Sequence, residues 1–134
     1  MEELVRVVLS KYKGFIAEAD LYERWLDSRE NPDIRDALTL LQMKITTVQS
    51  WFNLLNADER FVIQKHIIEE YEWPRVAFEF TQRWHNEFSR TERRLVYYQT
   101  CAIKKIVNFC MAHQEIVLSL FDDLLDDAKE LVGS

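Results

Sequence analysis

Residues 5–26, VRVVLSKYKGFIAEADLYERWL, place apolar side chains at Val5, Val8, Tyr12, Phe15, Ala19, Tyr22 and Leu26. The spacings alternate between three and four. An α-helix turns once every 3.6 residues, so these seven fall in a single stripe, the seam of a coiled-coil helix. A half-buried strand needs strict alternation, which the stretch lacks. Gly14 lies inside the seam and weakens the helix by about 1 kcal/mol relative to Ala, too little to end it. The polar run Ser28-Arg29-Glu30-Asn31-Pro32-Asp33 then breaks the pattern. Asn31 is placed to cap a new helix and Pro32 to occupy its first position, where a missing N–H costs nothing. A second seam follows at Ile34, Leu38, Leu41, Ile45, Val48, Phe52 and Leu55. Two matched seams joined by a short turn predict an antiparallel helical hairpin over residues 1–55, serving packing or oligomerisation. Trp25 and Trp51 lie beside the seams, where large aromatics mark further packing surfaces.

Outward from the hairpin, residues 56–108 read as a chain of shorter helices. Asn56 with Glu59 three residues on is a capping box, opening a third helix that carries Phe61, Val62, Ile63, Ile67 and Ile68 and ends near Tyr71-Glu72-Trp73. Pro74 starts a fourth helix running to about Thr81, and a polar linker from Gln82 to Phe88 follows. Ser89 with Glu92 repeats the capping signature and opens a fifth helix. No clear breaker occurs from there to Gly133, so this helix is long or bends around Ala112–Gln114. Residues 109–134 form a C-terminal helix and acidic tail with Asp122, Asp123, Asp126, Asp127 and Glu130. Acids near a helix C-terminus oppose its macrodipole, so fraying is expected there.

Composition agrees with an all-α fold, more than about 70% helical in the light of these two unbroken seams. Only two glycines and two prolines occur in 134 residues, whereas sheet proteins need a turn roughly every 8–12 residues. No apolar run approaches the roughly 20 residues of a membrane span. Met1-Glu2-Glu3 has no basic residues ahead of an apolar stretch, so no secretory signal and a cytoplasmic location are expected. Cys101 and Cys110 lie nine apart in one helix, roughly 13 Å along its axis, too far for a disulfide, and should be free thiols. His66, His85 and His113 are scattered; His66 and Glu70 share a helix face, but two ligands do not make a metal site. No phosphate loop, nucleophile elbow or catalytic triad is visible, so an enzyme is not expected, nor a cofactor or metal.

Charge is distributed unevenly. From Arg75 to Lys105 there are seven basic residues (Arg75, Arg83, Arg90, Arg93, Arg94, Lys104, Lys105) against three acids (Glu79, Glu87, Glu92). That segment is +4 in a chain of net charge −6, leaving −10 elsewhere. The layout of helix, turn, short helix, turn, basic helix is that of a helix-turn-helix, whose last helix enters the major groove by its N-terminal residues. Ser89 and Thr91 can donate to phosphate, as can the N–H groups of a helix start. Arg90, Arg93 and Arg94 carry the fork-shaped donors that read guanine edges or clamp phosphates. Tyr97 and Gln99 lie one to two turns on, and Lys104 and Lys105 can reach the flanking backbone. By itself, the run Arg90-Thr91-Glu92-Arg93-Arg94 also fits a solvated helix face with intrahelical pairs.

Residues 55–106 resemble the region-4 DNA-binding domain of bacterial sigma factors, and more closely the sigma-like phage regulators of the ArpU/RinA type. The resemblance is carried by Leu55-Asn56-Ala57-Asp58-Glu59-Arg60-Phe61-Val62-Ile63, similar to the family's opening helix, and by Tyr71-Glu72-Trp73-Pro74-Arg75-Val76-Ala77. Ser89-Arg90-Thr91-Glu92-Arg93-Arg94-Leu95, running on to Ala102-Ile103-Lys104-Lys105-Ile106, resembles its recognition helix. The linker holding Trp84 and His85 is longer than the family's, and the segment is less basic. The resemblance implies a phage or prophage-type transcription regulator whose Arg90, Thr91, Arg93, Arg94 and Tyr97 face double-stranded DNA. Two other readings stay open: a protein-interaction module acting on RNA polymerase or another protein, and a DNA-packaging accessory of the small-terminase kind. A homo-oligomer, most simply a dimer, is expected because helix-turn-helix proteins read paired half-sites. The near-heptad stripe Ile106, Cys110, Val117, Leu120 and Leu124 offers it a surface; the alternative is that this stripe packs on the N-terminal hairpin within one chain.

Overall fold

The computed structural model describes residues 1–84 and 92–133. Helix accounts for 88% of the described residues, and no strand occurs among them. The expected hairpin is present as α1 (Glu2–Ser28) and α2 (Pro32–Phe52). The side chain of Asn31 accepts from the backbone N–H of Asp33 and Ile34, at 3.0 and 3.3 Å, with Pro32 at the first helical position. The two helices pack along the predicted seams. Toward the turn the hairpin has only itself to pack on: Tyr22, Leu26 and Ile34 are partly buried, while Leu21 and Trp25 face solvent.

At the other end the hairpin is enclosed. Leu4, Val7 and Leu9 are buried along with Val5 and Val8, so the first turns of α1 are covered on nearly every side. The covering comes from α5 (Glu92–Ala112), α7 (Leu125–Gly133) and the segment Ile63–Ile68, while α6 (Gln114–Leu120) packs on α2 and α5. The break between α5 and α6 falls at His113, where a long helix was expected to bend. Trp51 is fully buried and meets Phe121 at 5.9 Å between ring centroids, and Phe15 stacks on Phe121 at 6.5 Å. A fully buried aromatic of this kind contributes about 2–3 kcal/mol through area alone.

Two expectations about the C-terminal part are corrected. Ile106, Cys110, Val117, Leu120 and Leu124 are all buried in the same core as the hairpin. The stripe offered as a dimer surface is therefore consumed within one chain, and only the half-site argument still speaks for an oligomer. The acidic stretch is not the end of a long helix either. A turn at Phe121 and a single 3₁₀ turn, Asp122–Leu124, reset the chain, so Asp126 and Asp127 stand in the first turn of α7. There they complement the helix dipole instead of opposing it.

The third helix also differs from its expected course. It begins at α3 (Ala57–Val62) with the complete capping box: Asn56 accepts from Glu59 N–H, and Glu59 accepts from Asn56 N–H, both at 2.9 Å. From Ile63 to Ile68 the chain winds as a π-helix, with Glu69 N–H donating to Gln64 C=O at 2.9 Å. In an α-helix residues five apart diverge by roughly 140°; a π turn brings them near one face. Ile63 and Ile68 thereby both reach the hairpin core. The segment stops at Glu70, the one non-glycine residue with positive φ (60°) among those described. His66 secures the exit: its Nδ1 lies 2.9 Å from Tyr71 C=O and its ring stacks on Trp73 at 3.8 Å.

Helix α4 (Trp73–Arg83) follows, and its inner face meets α3 and α5 in a second, smaller core of Val62, Val76, Phe80 and Leu95. Helix α5 is thus shared. Leu95 anchors its first turns to the small core, and Ala102, Ile103, Ile106 and Cys110 anchor its later turns to the large one.

Candidate nucleic-acid interface

The candidate contact residues divide according to which side of α5 they occupy. With Leu95, Ala102, Ile103 and Ile106 turned inward, the opposite side carries Arg93, Val96, Tyr97, Thr100 and Lys104, all exposed. Positions 93, 97, 100 and 104 recur at intervals of four, three and four, so they form one strip. At 1.5 Å per residue the strip is roughly 16 Å long, enough to follow several base pairs along a groove. Arg94 lies at its edge, exposed, with its guanidinium 5.8 Å from the ring of Tyr98. Tyr97 is 57% exposed. A hydrogen bond with the Cys101 side chain, one helical turn on, holds its phenol above the ordinary value.

Lys105 is placed differently from its neighbour. Its ammonium lies 2.7 Å from Oε1 of Glu59, whose side chain is 4% exposed. The lysine is committed to neutralising a buried carboxylate that also completes the cap of α3. Gln99 is buried at 7% exposure, with its side-chain oxygen unpartnered, and takes no place on the outer strip. Ser89, Arg90 and Thr91 lie outside the described residues, as do His85 and the expected cap by Ser89. Of the eight residues proposed from sequence, Arg93, Arg94, Tyr97 and Lys104 therefore lie together on an exposed face, and Lys105 turns to an internal ion pair.

The strip rests on a firm base. Phe80 stacks on Trp84 at 4.2 Å, and Phe61 meets both edge-on, at 5.5 and 5.3 Å. Arg75 lies 3.6 Å over the ring of Tyr71, which fixes it on α4. These contacts join α4 to α3, and the start of α5 is held against them by Leu95 in the small core and by Tyr98, 6.4 Å from the ring of Phe80. Their signal in the sequence was only the density of Phe, Tyr and Trp between residues 61 and 84.

A second exposed feature lies between α2 and α6. Leu40, Met43 and Ile116 are 46, 54 and 68% exposed, and with Leu120 and Glu115 they line a shallow apolar groove between α2 and α6. Among the described residues, no helix is long and apolar enough to cross a membrane. Comparison with family models, with curated proteins and with solved structures finds no match to this chain.

Proposed function

We propose that this chain is a DNA-binding transcription regulator of the phage or prophage type, which contacts double-stranded DNA through the helix beginning at Ser89. The observation that carries the reading is the outward strip Arg93, Tyr97, Thr100 and Lys104 on α5, supported from behind by α3 and α4. The three-helix order, with the basic helix last, supports a helix-turn-helix assignment. Arg93 and Arg94 supply bidentate donors for guanine or phosphate, Tyr97 supplies a hydroxyl, and Lys104 supplies a point charge for the backbone. Ser89, Arg90 and Thr91 belong to the same proposal on sequence grounds, whereas Lys105, paired with Glu59, serves it by holding α5 to α3.

The net charge of −6 bears on how such a face works. A chain that repels DNA over most of its surface binds only where local positive charge outweighs that repulsion, which favours selective over indiscriminate contact. Gel-shift titration of duplex DNA over a range of salt tests the proposal. The expected result is a linear fall of log affinity with log salt, with a slope of at most about three to five phosphate contacts.

The second reading, an interaction module that acts on RNA polymerase or another protein, is favoured by the exposed groove of Leu40, Met43 and Ile116. Isolated exposed apolar residues are ordinary, but three adjoining across two helices invite a partner. Under this reading DNA affinity stays negligible in low salt, and substitution of Ile116 abolishes activity while substitution of Arg93 does not.

A further inference from the structure

One cleft of ligand size lies away from the α5 strip. It lies between the base of the hairpin, α3, the π-helical segment and the end of α4, with a volume of about 580 Å³. Sites for small organic ligands run from about 300 to 1,000 Å³. Its walls carry three cations, Arg60, Lys65 and Arg83, and three aromatic rings, Tyr12, Phe52 and Phe61. No carboxylate is among the described residues lining it, in a chain of net charge −6. We infer that this cleft binds a 5′-nucleotide unit, with the phosphate held by Arg60 and Arg83 and the base laid against the aromatic wall.

The side chains are fixed in a way that suits that ligand. Arg60 donates from Nε to the carbonyl of Phe52 at 2.8 Å. That bond orients the guanidinium plane through Nε, while the fork that grips an oxyanion is formed by the two terminal nitrogens. Lys65 is held at the wall by Glu69, at 3.4 Å, and by the rings of Phe61 and Tyr71, at 5.9 and 5.6 Å. It contributes positive potential from a fixed position. Arg83, at the end of α4, is exposed, 5.4 Å from the Trp84 ring. Tyr12 and Phe52 meet at 6.0 Å with a tilt of 50°, and both stay partly exposed beside the cleft. Phe61 is braced from behind by Phe80 and Trp84.

Partly exposed aromatics and the guanidiniums of Arg60 and Arg83 in one cleft match an anion that carries a flat π-system. Stacking is tolerant of base identity, and the cations follow the phosphate. An inorganic anion would use only half of these features, and an acidic peptide would leave the rings unused. The same chemistry is presented by a free mononucleotide and by a nucleotide exposed in a single strand.

Isothermal titration of the full chain with dAMP, deoxyadenosine, inorganic phosphate and a short single-stranded oligodeoxyadenylate tests the inference. We expect saturable binding of dAMP or of the oligonucleotide, with deoxyadenosine and phosphate each weaker by about tenfold or more. Arg60→Gln combined with Arg83→Gln should weaken that binding by about tenfold or more. Tyr12→Leu should weaken the nucleotide and leave phosphate unchanged. Arg93→Ala and Lys104→Ala should leave dAMP binding intact, which separates this cleft from the α5 strip. Arg60→Gln also removes the bond to Phe52, so each variant is checked by circular dichroism; if it unfolds, Lys65→Gln with Arg83→Gln carries the same test. Binding by dAMP assigns a free nucleotide, and binding by the oligonucleotide alone assigns an exposed strand. Saturation by neither, phosphate binding as tightly as dAMP, or binding untouched in a folded double variant would overturn the inference.

Discussion

Lys105 and Glu59 form an ion pair of 2.7 Å that ties the middle of α5 to the first turn of α3. Oε1 of Glu59 accepts both the Lys105 ammonium and the backbone N–H of Asn56. The carboxylate is almost fully buried, whereas the lysine is 45% exposed. Removing the lysine leaves an acceptor with a full charge and one remaining donor. Two consecutive lysines on one helix thus have different duties, which composition cannot distinguish.

Lys105→Ala is expected to lower unfolding free energy by about 1–3 kcal/mol, because it strands a buried charge. Lys104→Ala should stay within about 0.5 kcal/mol of the parent. Urea unfolding of both variants checks this, and equal losses would contradict the division of roles.

Lys44 and Asp123 form the reverse case. The Lys44 side chain is 6% exposed, and its ammonium lies 3.0 Å from the carboxylate of Asp123, a side chain 56% exposed, linking α2 to the turn before α7. It also lies 5.5 Å from the ring of Phe15. Asp123→Ala should therefore cost about 1–3 kcal/mol by leaving the buried cation alone, while Lys44→Met should be near neutral because an apolar chain of similar length fills the site. Thermal melts that rank the two the other way would refute this account of the pair.

Gly14 lies in the middle of α1 and is exposed, and a Cβ built there meets no atom within 4 Å. Nothing in the fold requires a glycine. Gly14→Ala should stabilise the protein by about 0.5–1 kcal/mol, through helix propensity and a more restricted unfolded chain. A loss of stability would mean that this face of the hairpin is covered by another surface.

The two free cysteines should differ in reactivity. Burial pushes the Cys110 thiol from 9.0 up to about 11, while Cys101 is partly exposed beside Tyr97. A thiol-specific alkylating agent should label Cys101 first and Cys110 only on unfolding. The folded state holds the Cys110 proton more tightly than the unfolded chain does. Its contribution to stability is therefore complete below the unfolded value and is lost as pH climbs from about 9 towards 11. Mass-spectrometric labelling with both thiols modified at equal rates in the native protein would contradict this placement.

The hairpin was legible because local periodicity and tertiary packing agree there. The stripes from Val5 to Leu26 and from Ile34 to Leu55 are the faces that meet, and Asn31 caps as its position dictates. Legibility failed where one residue serves two neighbours. Leu4, Val7 and Leu9 lie off the seam and are buried by the C-terminal helices, although the nearly continuous apolar run from Leu4 to Leu9 carries that signal. The stripe from Ile106 to Leu124 was visible, but periodicity cannot say whether its partner is the same chain or another. The π-helical segment was invisible, because five-residue spacing in an apolar stretch reads as a poorly formed α-helix. Of the candidate site, the exposure of Arg93, Tyr97 and Lys104 followed from the inward turn of Leu95 and Ala102. The withdrawal of Lys105 to Glu59 depended on a contact 46 residues away, and the cationic cleft joins four separate elements.

The most direct test of the proposed function is duplex-DNA binding by the Arg93→Ala and Lys104→Ala variants, measured over a range of salt against specific and random sequence. If α5 reads DNA, Arg93→Ala lowers affinity for the preferred sequence by about 1–3 kcal/mol and relaxes discrimination. Arg90→Ala, at a position outside the described residues, should do the same. Lys104→Ala instead weakens all sequences alike and lowers the salt slope by about one. DNA binding that is absent from the parent chain even in low salt, or unchanged in the Arg90/Arg93 double variant, would contradict the proposal and leave the protein-interaction reading in its place.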